Sequence, residues 1–322
     1  MNDTAPLVSI ITPAYNRALY LDETIQSVLE QDYPSIEYIV LDDGSTDNTR
    51  EVLQKYTGRV TCETHPNMGE TRTVNKGWGM AGGEIVATVS SDDPLLPGAV
   101  STAVTFLQAR PEILVAYPDW IKIGPDSTVI SHVQVPEYDY LYMLTRHHCI
   151  VGPGAFIRRR AFDLTGMRDP EFRYVADFEY WLRLGLYGPF ARIPRTLATH
   201  RVHADSASVS HRGAAMAAEH IRLMHEFYSR RDLPVEVQNV RRVALSSAHR
   251  VAAGSCAPPR AQAFKHCVFF ALYHPPHLLD RTVWREALYR ALPRPVFSVL
   301  LGGWRTARRI VAPARRYLTR RL

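Results

Sequence analysis

Two pairs of adjacent carboxylates stand where apolar, strand-like runs stop. Ile85-Val86-Ala87-Thr88-Val89 leads through Ser90-Ser91 to Asp92-Asp93, and Pro94 then blocks any continuation of the strand. Ile36 to Leu41 leads likewise into Asp42-Asp43-Gly44-Ser45. Neighbouring carboxylates repel each other and are costly to desolvate unless a cation lies between them. A hard divalent ion, Mg²⁺ or Mn²⁺, bridging carboxylate and phosphate oxygens is the natural partner. The plainer alternative is a solvated turn in each case, since Asp is favoured before Pro and Asp-Gly-Ser is a common turn. A third feature closes the first apolar run: Thr12-Pro13-Ala14-Tyr15-Asn16 follows Leu7 to Ile11. A tyrosine ring can stack on a base, and a carboxylate can accept from base N–H or ribose hydroxyl groups. These are the parts of a nucleoside site.

Such groups act together only if a scaffold brings them to one edge. Leu21, Ile25, Val28 and Leu29 make the stripe of an amphipathic helix after the first strand. Thr46-Asp47-Asn48 can cap a second helix carrying Val52, Leu53 and Tyr56. Val60-Thr61-Cys62 reads as a short strand, Asn67 to Ala81 as loop and helix, Ala99 to Leu107 as helix, and Ile113 to Tyr117 as strand. This alternation predicts an α/β fold, a mostly parallel sheet with helices on both faces. Ligands of such sheets lie beyond the strands' carboxyl ends, where both Asp pairs and the Tyr15 turn fall. Residues 119 to 151 are irregular, with loops and hairpin pieces expected. Gly154 to Ile157 returns to strand, Asp177 to Leu186 reads as helix, and Ala191 to His203 as strand and loop. Gly77-Trp78-Gly79-Met80-Ala81-Gly82 has the dinucleotide spacing, but helix precedes and strand follows, the reverse of the fingerprint. A helix C-terminus is expected there instead.

Composition narrows the partners. The chain of 322 residues has a net charge of +6. Eleven arginines and one acid lie from Arg281 onward, giving 11 − 1 = +10 there and +6 − 10 = −4 before it. A basic tail on a mildly acidic body argues against nucleic acid as the partner. Val296 to Trp304 followed by Arg305, Arg308 and Arg309 suits an anionic membrane surface, the competing readings being a solvated end or a helix on the body. No segment is long enough to span a bilayer, and Met1 to Pro6 is too short and polar for a signal peptide. Four cysteines without paired spacing fit a reduced, cytoplasmic setting with buried thiols.

Val8-Ser9-Ile10-Ile11-Thr12-Pro13-Ala14-Tyr15-Asn16-Arg17, Val40-Leu41-Asp42-Asp43-Gly44-Ser45-Thr46-Asp47 and Ser91-Asp92-Asp93 resemble the family 2 glycosyltransferases of the GT-A fold. Asn75-Lys76-Gly77, Ala176 to Leu184 and Arg201 to Ser206 are similar to later motifs of that family. The resemblance spans about residues 6 to 210. It implies that Pro13, through its backbone, Tyr15 and Asp43 hold base and ribose. The second pair resembles the family's metal motif without its outer acid. Asp93 is then the metal ligand, with Asp92 nearer the ribose. Asp177 matches the catalytic base, whose proton abstraction in a single displacement inverts the anomeric carbon. His203 would complete the metal shell or donate to phosphate, and Arg201 would contact the diphosphate. Each has a structural alternative, for Asp177 a helix N-terminal acid complementing the dipole. Val74 stands where the family more often has arginine.

The expectation is a GT-A domain over 1–210 and a helical region over 211–322, the latter membrane-associated. The function expected is inverting, metal-dependent transfer of a sugar from a nucleotide donor to a glycan or lipid-linked acceptor. Cell-surface polysaccharide or glycolipid synthesis on the inner membrane face is the setting implied. A sugar nucleotidyltransferase and a non-catalytic nucleotide- or glycan-binding module are the alternatives.

Overall fold

β1 (Val8–Ala14) is the strand on which the sheet is laid, and every one of its residues is buried. A β-branched run covered on both faces behaves this way. β2 (Ile36–Asp42) and β4 (Ile85–Thr88) pair parallel to it on either side, and β3 (Thr61–Thr64) adds parallel to β2. The crossovers run through α1 (Leu21–Leu29), α2 (Thr49–Gln54) and α3 (Glu70–Met80). The stripe on α1 is buried at Leu21, Ile25 and Val28 as its spacing predicts. The computed structural model describes residues 5–203, 213–256 and 260–273.

α4 (Ala99–Gln108) leads to the mixed half of the sheet. There β5 (Val115–Ile123) pairs antiparallel with β6 (Val129–Val133) and β7 (Phe156–Arg158), and parallel with β8 (Phe190–Arg201). β7 also pairs antiparallel with β4, so the order β3-β2-β1-β4-β7-β5-β6 is continuous, with β8 on β5. The stretch expected to be irregular is more ordered than its prolines suggest. β5 continues past Pro118 because its register with β8 shifts at Pro118 and Asp119, which lets proline sit in the strand. α5 (Tyr140–Arg146), α6 (Arg160–Thr165) and α7 (Ala176–Leu184) complete this half. α3 ends at the Gly77 to Gly82 run, as the reversed order predicts. Gly77 is needed there, because a Cβ would enter the Ile11 side chain of β1.

Two compact units divide the chain, and residues 227–238 belong with residues 1–211 rather than with the helices around them. In the second unit lie α8 (Ala214–Phe227) up to Glu226, α10 (Arg241–Ser255) and α11 (Arg260–Tyr273), while α9 (Val235–Asn239) precedes α10. The Ser246 hydroxyl donates to the Phe270 carbonyl at 2.6 Å, and His249 stacks on Phe269 and Tyr273. Among the described residues, no helix is long and apolar enough to cross a membrane. The basic segment 295–322 lies outside the described residues.

Register decides what the sheet delivers. Ala14 lies opposite Asp42 and Ile11 opposite Thr88. The Asp43 N–H donates to the Ala14 carbonyl at 2.8 Å, and Val89 N–H to that of Ile11 at 2.9 Å. The Tyr15 turn and both Asp pairs thus leave the sheet at one edge.

Candidate active site

Tyr15 projects from the end of β1 with 45% of its surface exposed. Asn16 beside it takes a left-handed conformation, φ 52°, that Asn tolerates well. Its Oδ1 accepts from the Thr46 N–H at 2.8 Å, and its own N–H donates to Ser45 Oγ at 2.9 Å. The two strand-end turns are therefore sewn to each other. Pro13 is buried within β1, so it offers only backbone.

The first Asp pair is built inward. Asp42 is fully buried, accepting from the Ser45 N–H at 2.9 Å and Arg50 Nε at 3.1 Å. Burial opposes its charge, but hydrogen bonds from Ser45, Arg50 and Thr64 outweigh it and hold the carboxyl below its ordinary range. Asp43 accepts from the N–H groups of Met68 at 2.7 Å and Gly69 at 3.0 Å, while its carbonyl accepts from Asn67. The Asp43 carboxylate thus shapes the loop entering α3. Gly44 permits the close approach, since a Cβ there would stand 2.7 Å from the Asn67 nitrogen.

The second pair corrects the assignment made from the sequence. Asp93 is the inner member, accepting from the Arg201 N–H at 2.6 Å with His200 Nδ1 at 3.5 Å. Burial first, then the neighbouring Asp92 charge, raises its carboxyl. Asp92 is the outer member: its Oδ2 lies 2.9 Å from His203 Nε2 and 3.4 Å from Arg17 Nε. Both lie in the turn that follows β4, closed by the Asp93 N–H donating to the Ser90 carbonyl at 3.0 Å, and in that turn the two carboxylates meet different partners. Of the two, Asp92, not the expected Asp93, is the carboxylate that shares its surroundings with His203. A carboxylate and an imidazole fit a divalent ion whose remaining positions are taken by phosphate oxygens and water. Among the described residues, no group of three or more His, Cys, Asp or Glu could hold a metal.

Arg201 is corrected too. Its side chain is fully covered. Nε donates to the Asp92 carbonyl at 2.9 Å, Nη1 to the Gly124 carbonyl at 3.0 Å and Ser127 Oγ at 2.9 Å, and Nη2 to Glu23 at 2.6 Å. The guanidinium also stacks over Tyr20, 4.8 Å from the ring centroid. Rather than facing a diphosphate, Arg201 clamps the Asp92 backbone from behind. An arginine next to a histidine in a strand tail carries no sequence signal to separate these roles.

Asp177 stands exposed in the first turn of α7, its Oδ1 accepting from the Phe178 N–H at 2.7 Å. Glu179 is buried and paired with Arg183, and Trp181 is core. Arg183 also donates to the carbonyls of Thr165 and Met167. Asn75 of α3 pins the same loop, accepting from the Arg168 N–H at 3.1 Å and donating to its carbonyl at 2.8 Å. Thr71 of α3 donates to the Phe172 carbonyl at 3.0 Å, and Trp78 lies 5.0 Å from Tyr180 of α7, centroid to centroid. Through α3, the loop shaped by Asp43 and the helix bearing Asp177 are tied together.

Electrostatics reports the convergence. Glu70, first in α3, is exposed as a residue, yet neighbouring protein atoms hinder solvation of its carboxyl. This desolvation raises its carboxyl, Asp177 and Asp92 add to the rise, and Arg168 and Arg17 oppose it. Burial likewise raises the Cys149 thiol, again with Asp177 contributing. Glu70, Arg168 and Cys149 escape sequence reasoning because nothing local marks them. Lone charged residues on a helix start and in a loop look like solvated surface.

A family profile described as "Glycosyl transferase family 2" matches residues 9–165. An Escherichia coli relative, the "UDP-Glc:alpha-D-GlcNAc-diphosphoundecaprenol beta-1,3-glucosyltransferase WfaP", is 30% identical over 210 residues, 63% of this chain and 80% of the relative. The chain belongs to glycosyltransferase family 2. The "Hyaluronan synthase" of Pasteurella multocida is 29% identical over 215 residues, 65% of this chain, yet this family 2 chain spans only 22% of that protein. Two solved structures share the fold: S. aureus TarS 1-349 in complex with UDP-GlcNAc (TM-score 0.60, 18% identity, covering 88% of this chain and 91% of that one), and the mannosyltransferase PcManGT from Pyrobaculum calidifontis in complex with GDP-Man and Mn2+ (TM-score 0.52, 18% identity, covering 90% and 86%). The α/β architecture expected from the strand-helix alternation, and the GT-A fold implied by the resemblance, are the ones observed.

Proposed function

We propose that this family 2 chain transfers a sugar from a nucleotide-diphospho-sugar to a hydroxyl of a glycan or lipid-linked acceptor, with inversion at the anomeric carbon. The observation that carries the reading is α3, whose entry loop is shaped by Asp43 and whose Thr71 and Asn75 tie down the segment leading to the helix that bears Asp177. Donor phosphate chemistry and proton abstraction then share one cleft. Tyr15 stacks on the base, and the turn at Pro13 and the loop shaped by Asp43 border base and ribose. Asp92 and His203 would hold a divalent ion, which when bound neutralises the charge on the departing diphosphate. Asp177 accepts the proton of the attacking hydroxyl, its oxygens being open to solvent at a helix N-terminus. The diphosphoundecaprenol in the WfaP name and the Mn2+ with PcManGT support a lipid-linked acceptor and a metal. The eleven arginines from Arg281 onward support action at the anionic inner face of a membrane.

The test incubates the purified full chain with UDP- and GDP-sugars, each with Mn2+, Mg2+ or chelator, and glycan or lipid-linked acceptors. Product formation with inverted anomeric configuration by NMR, abolished by chelator, is expected. Nucleotide binding without turnover on any acceptor would leave a binding module. Release of pyrophosphate with formation of a nucleotide sugar would mean a nucleotidyltransferase.

A further inference from the structure

One face of the segment from Arg17 to Gln31 is given over to the turn that carries Asp92 and Asp93. Thr24 Oγ1 donates to the Ser91 carbonyl at 3.1 Å, and Ser27 Oγ accepts from the Leu95 N–H at 3.0 Å. Gln31 donates to the Leu96 carbonyl at 3.1 Å. Nearer the rim, Arg17 Nε lies 3.4 Å from Asp92 Oδ2. Glu23 pairs at 2.6 Å with the Arg201 guanidinium, which in turn holds the Asp92 carbonyl. These residues recur every three or four positions, so α1 and the turn before it present them together.

Tyr20 shares that spacing and is buried. Its ring meets both groups that reach Asp92 from the end of β8. The Arg201 guanidinium lies over it, 4.8 Å from the centroid, and the His203 ring stands 4.8 Å away, centroid to centroid. Those two grip Asp92 at different atoms: Arg201 Nε donates to the carbonyl at 2.9 Å, and His203 Nε2 is 2.9 Å from Oδ2. His203 lies two residues past β8, so its ring is oriented by its neighbours rather than by strand register. In the other direction, Arg17 Nη1 donates to the Asn16 carbonyl at 3.0 Å, and the Arg17 carbonyl accepts from the Tyr20 N–H at 3.0 Å. The Tyr15 turn and Asp92 are thereby two ends of one link.

We propose that Tyr20 and Glu23 are positioning residues: they set Arg201 and His203, and through them Asp92, at a fixed place relative to the Tyr15 turn. The flat Tyr20 ring suits this task, because its face attracts a guanidinium and packs on an imidazole. A donor held by its base at Tyr15 then presents its diphosphate in register with Asp92 and His203. The proposal rests on the donor reading above and names what aligns its two points of contact. Groups already fixed by such partners have less freedom left to lose on binding.

Titration calorimetry on the full chain and on Tyr20→Phe, Tyr20→Leu and Glu23→Gln compares uridine with UDP and guanosine with GDP. Each titration is run in Mn2+ and in chelator, so the comparison can be read whether or not a metal takes part. Tyr20→Leu should keep nucleoside affinity within about twofold while diphosphate affinity falls roughly tenfold, the lower range for losing a residue that orients a binding group. Tyr20→Phe, which keeps the ring, should restore it. Glu23→Gln should lower diphosphate affinity alone by about threefold, the scale of a partly exposed ion pair. Equal losses for nucleoside and diphosphate would overturn the proposal and make these residues part of the general core. Unchanged diphosphate affinity would overturn it too; should Tyr20→Leu unfold, the exposed Glu23 position decides. If the unaltered chain binds the diphosphates no better than their nucleosides, the donor reading falls and the proposal with it, an outcome visible before any variant is made.

Discussion

The two halves of the cleft are built on opposite plans. In the nucleotide half, around β1, β2 and β4, charged side chains are engaged before any ligand arrives: Asp43 by two amides, Asp42 by Ser45 and Arg50, Asp93 by the Arg201 amide and Arg201 by Asp92 and Glu23. In the transfer half, among the described residues, the Asp177 carboxylate bonds only the amide next to it, and the Glu70 and Arg168 side chains make no hydrogen bond or ion pair. A half that receives the same nucleotide each cycle gains from being preorganised, since no ordering remains to be done on binding. A half that receives a sugar and an exchangeable hydroxyl keeps its groups available, because any internal partner would have to be displaced first.

If the comparison is right, the largest effect of a single isosteric change belongs to the transfer half. Asp177→Asn should lower kcat by roughly 10²- to 10⁴-fold while nucleotide affinity is retained, the range for losing a general base. Steady-state kinetics beside calorimetric titration of the diphosphate checks both parts. Loss of nucleotide affinity would make Asp177 part of the nucleotide half and break the division. Within that half, Asp92→Asn should weaken Mn2+-dependent nucleotide binding by about tenfold, one charge-assisted contact. Asp93→Asn should leave that metal dependence in place and lower thermal stability instead. The reverse pattern would restore Asp93 as the ligand.

The smallest effect is an acid response. Asp42 has its folded pKa held below the reference value of 3.8, so the unfolded chain binds the proton more readily. Its contribution to stability is complete above about pH 4 and fades as pH falls through the lower folded value. Asp42→Asn should flatten the loss of stability below pH 4 in acid titrations followed by circular dichroism. An unchanged profile would mean that the inward-built pair does not hold the nucleotide half together.

Much of this was legible beforehand, for reasons that can be named. The stripe of Leu21, Ile25 and Val28 and the β-branched runs of β1, β2 and β4 declare their own elements, because burial of an apolar face needs only local periodicity. Carboxylates after such runs must lie at a sheet's rim, so the site's edge followed from the strands. The unread part concerned direction and distance. Asp92 and Asp93 are neighbours in sequence, and only the twist of the rim tells which faces outward. Pro118 looks like a break until the register shift on β8 accommodates it.

By itself the sequence determined the strand-helix alternation, the parallel half of the sheet, the rim at which the Asp pairs end and the family to which they belong. These depend on side-chain periodicity and on short runs of residues, which survive without coordinates. The tertiary structure alone decided the division of labour. It turned Arg201 into a clamp, gave Asp92 rather than Asp93 to His203, and used α3 to bring Glu70, Arg168 and Asp177, separated by up to 107 positions, into one electrostatic neighbourhood. Coulomb and hydrogen-bonding forces act over a few ångströms of space and are blind to separation along the chain. The charges that α3 brings together therefore became visible only once the chain was folded.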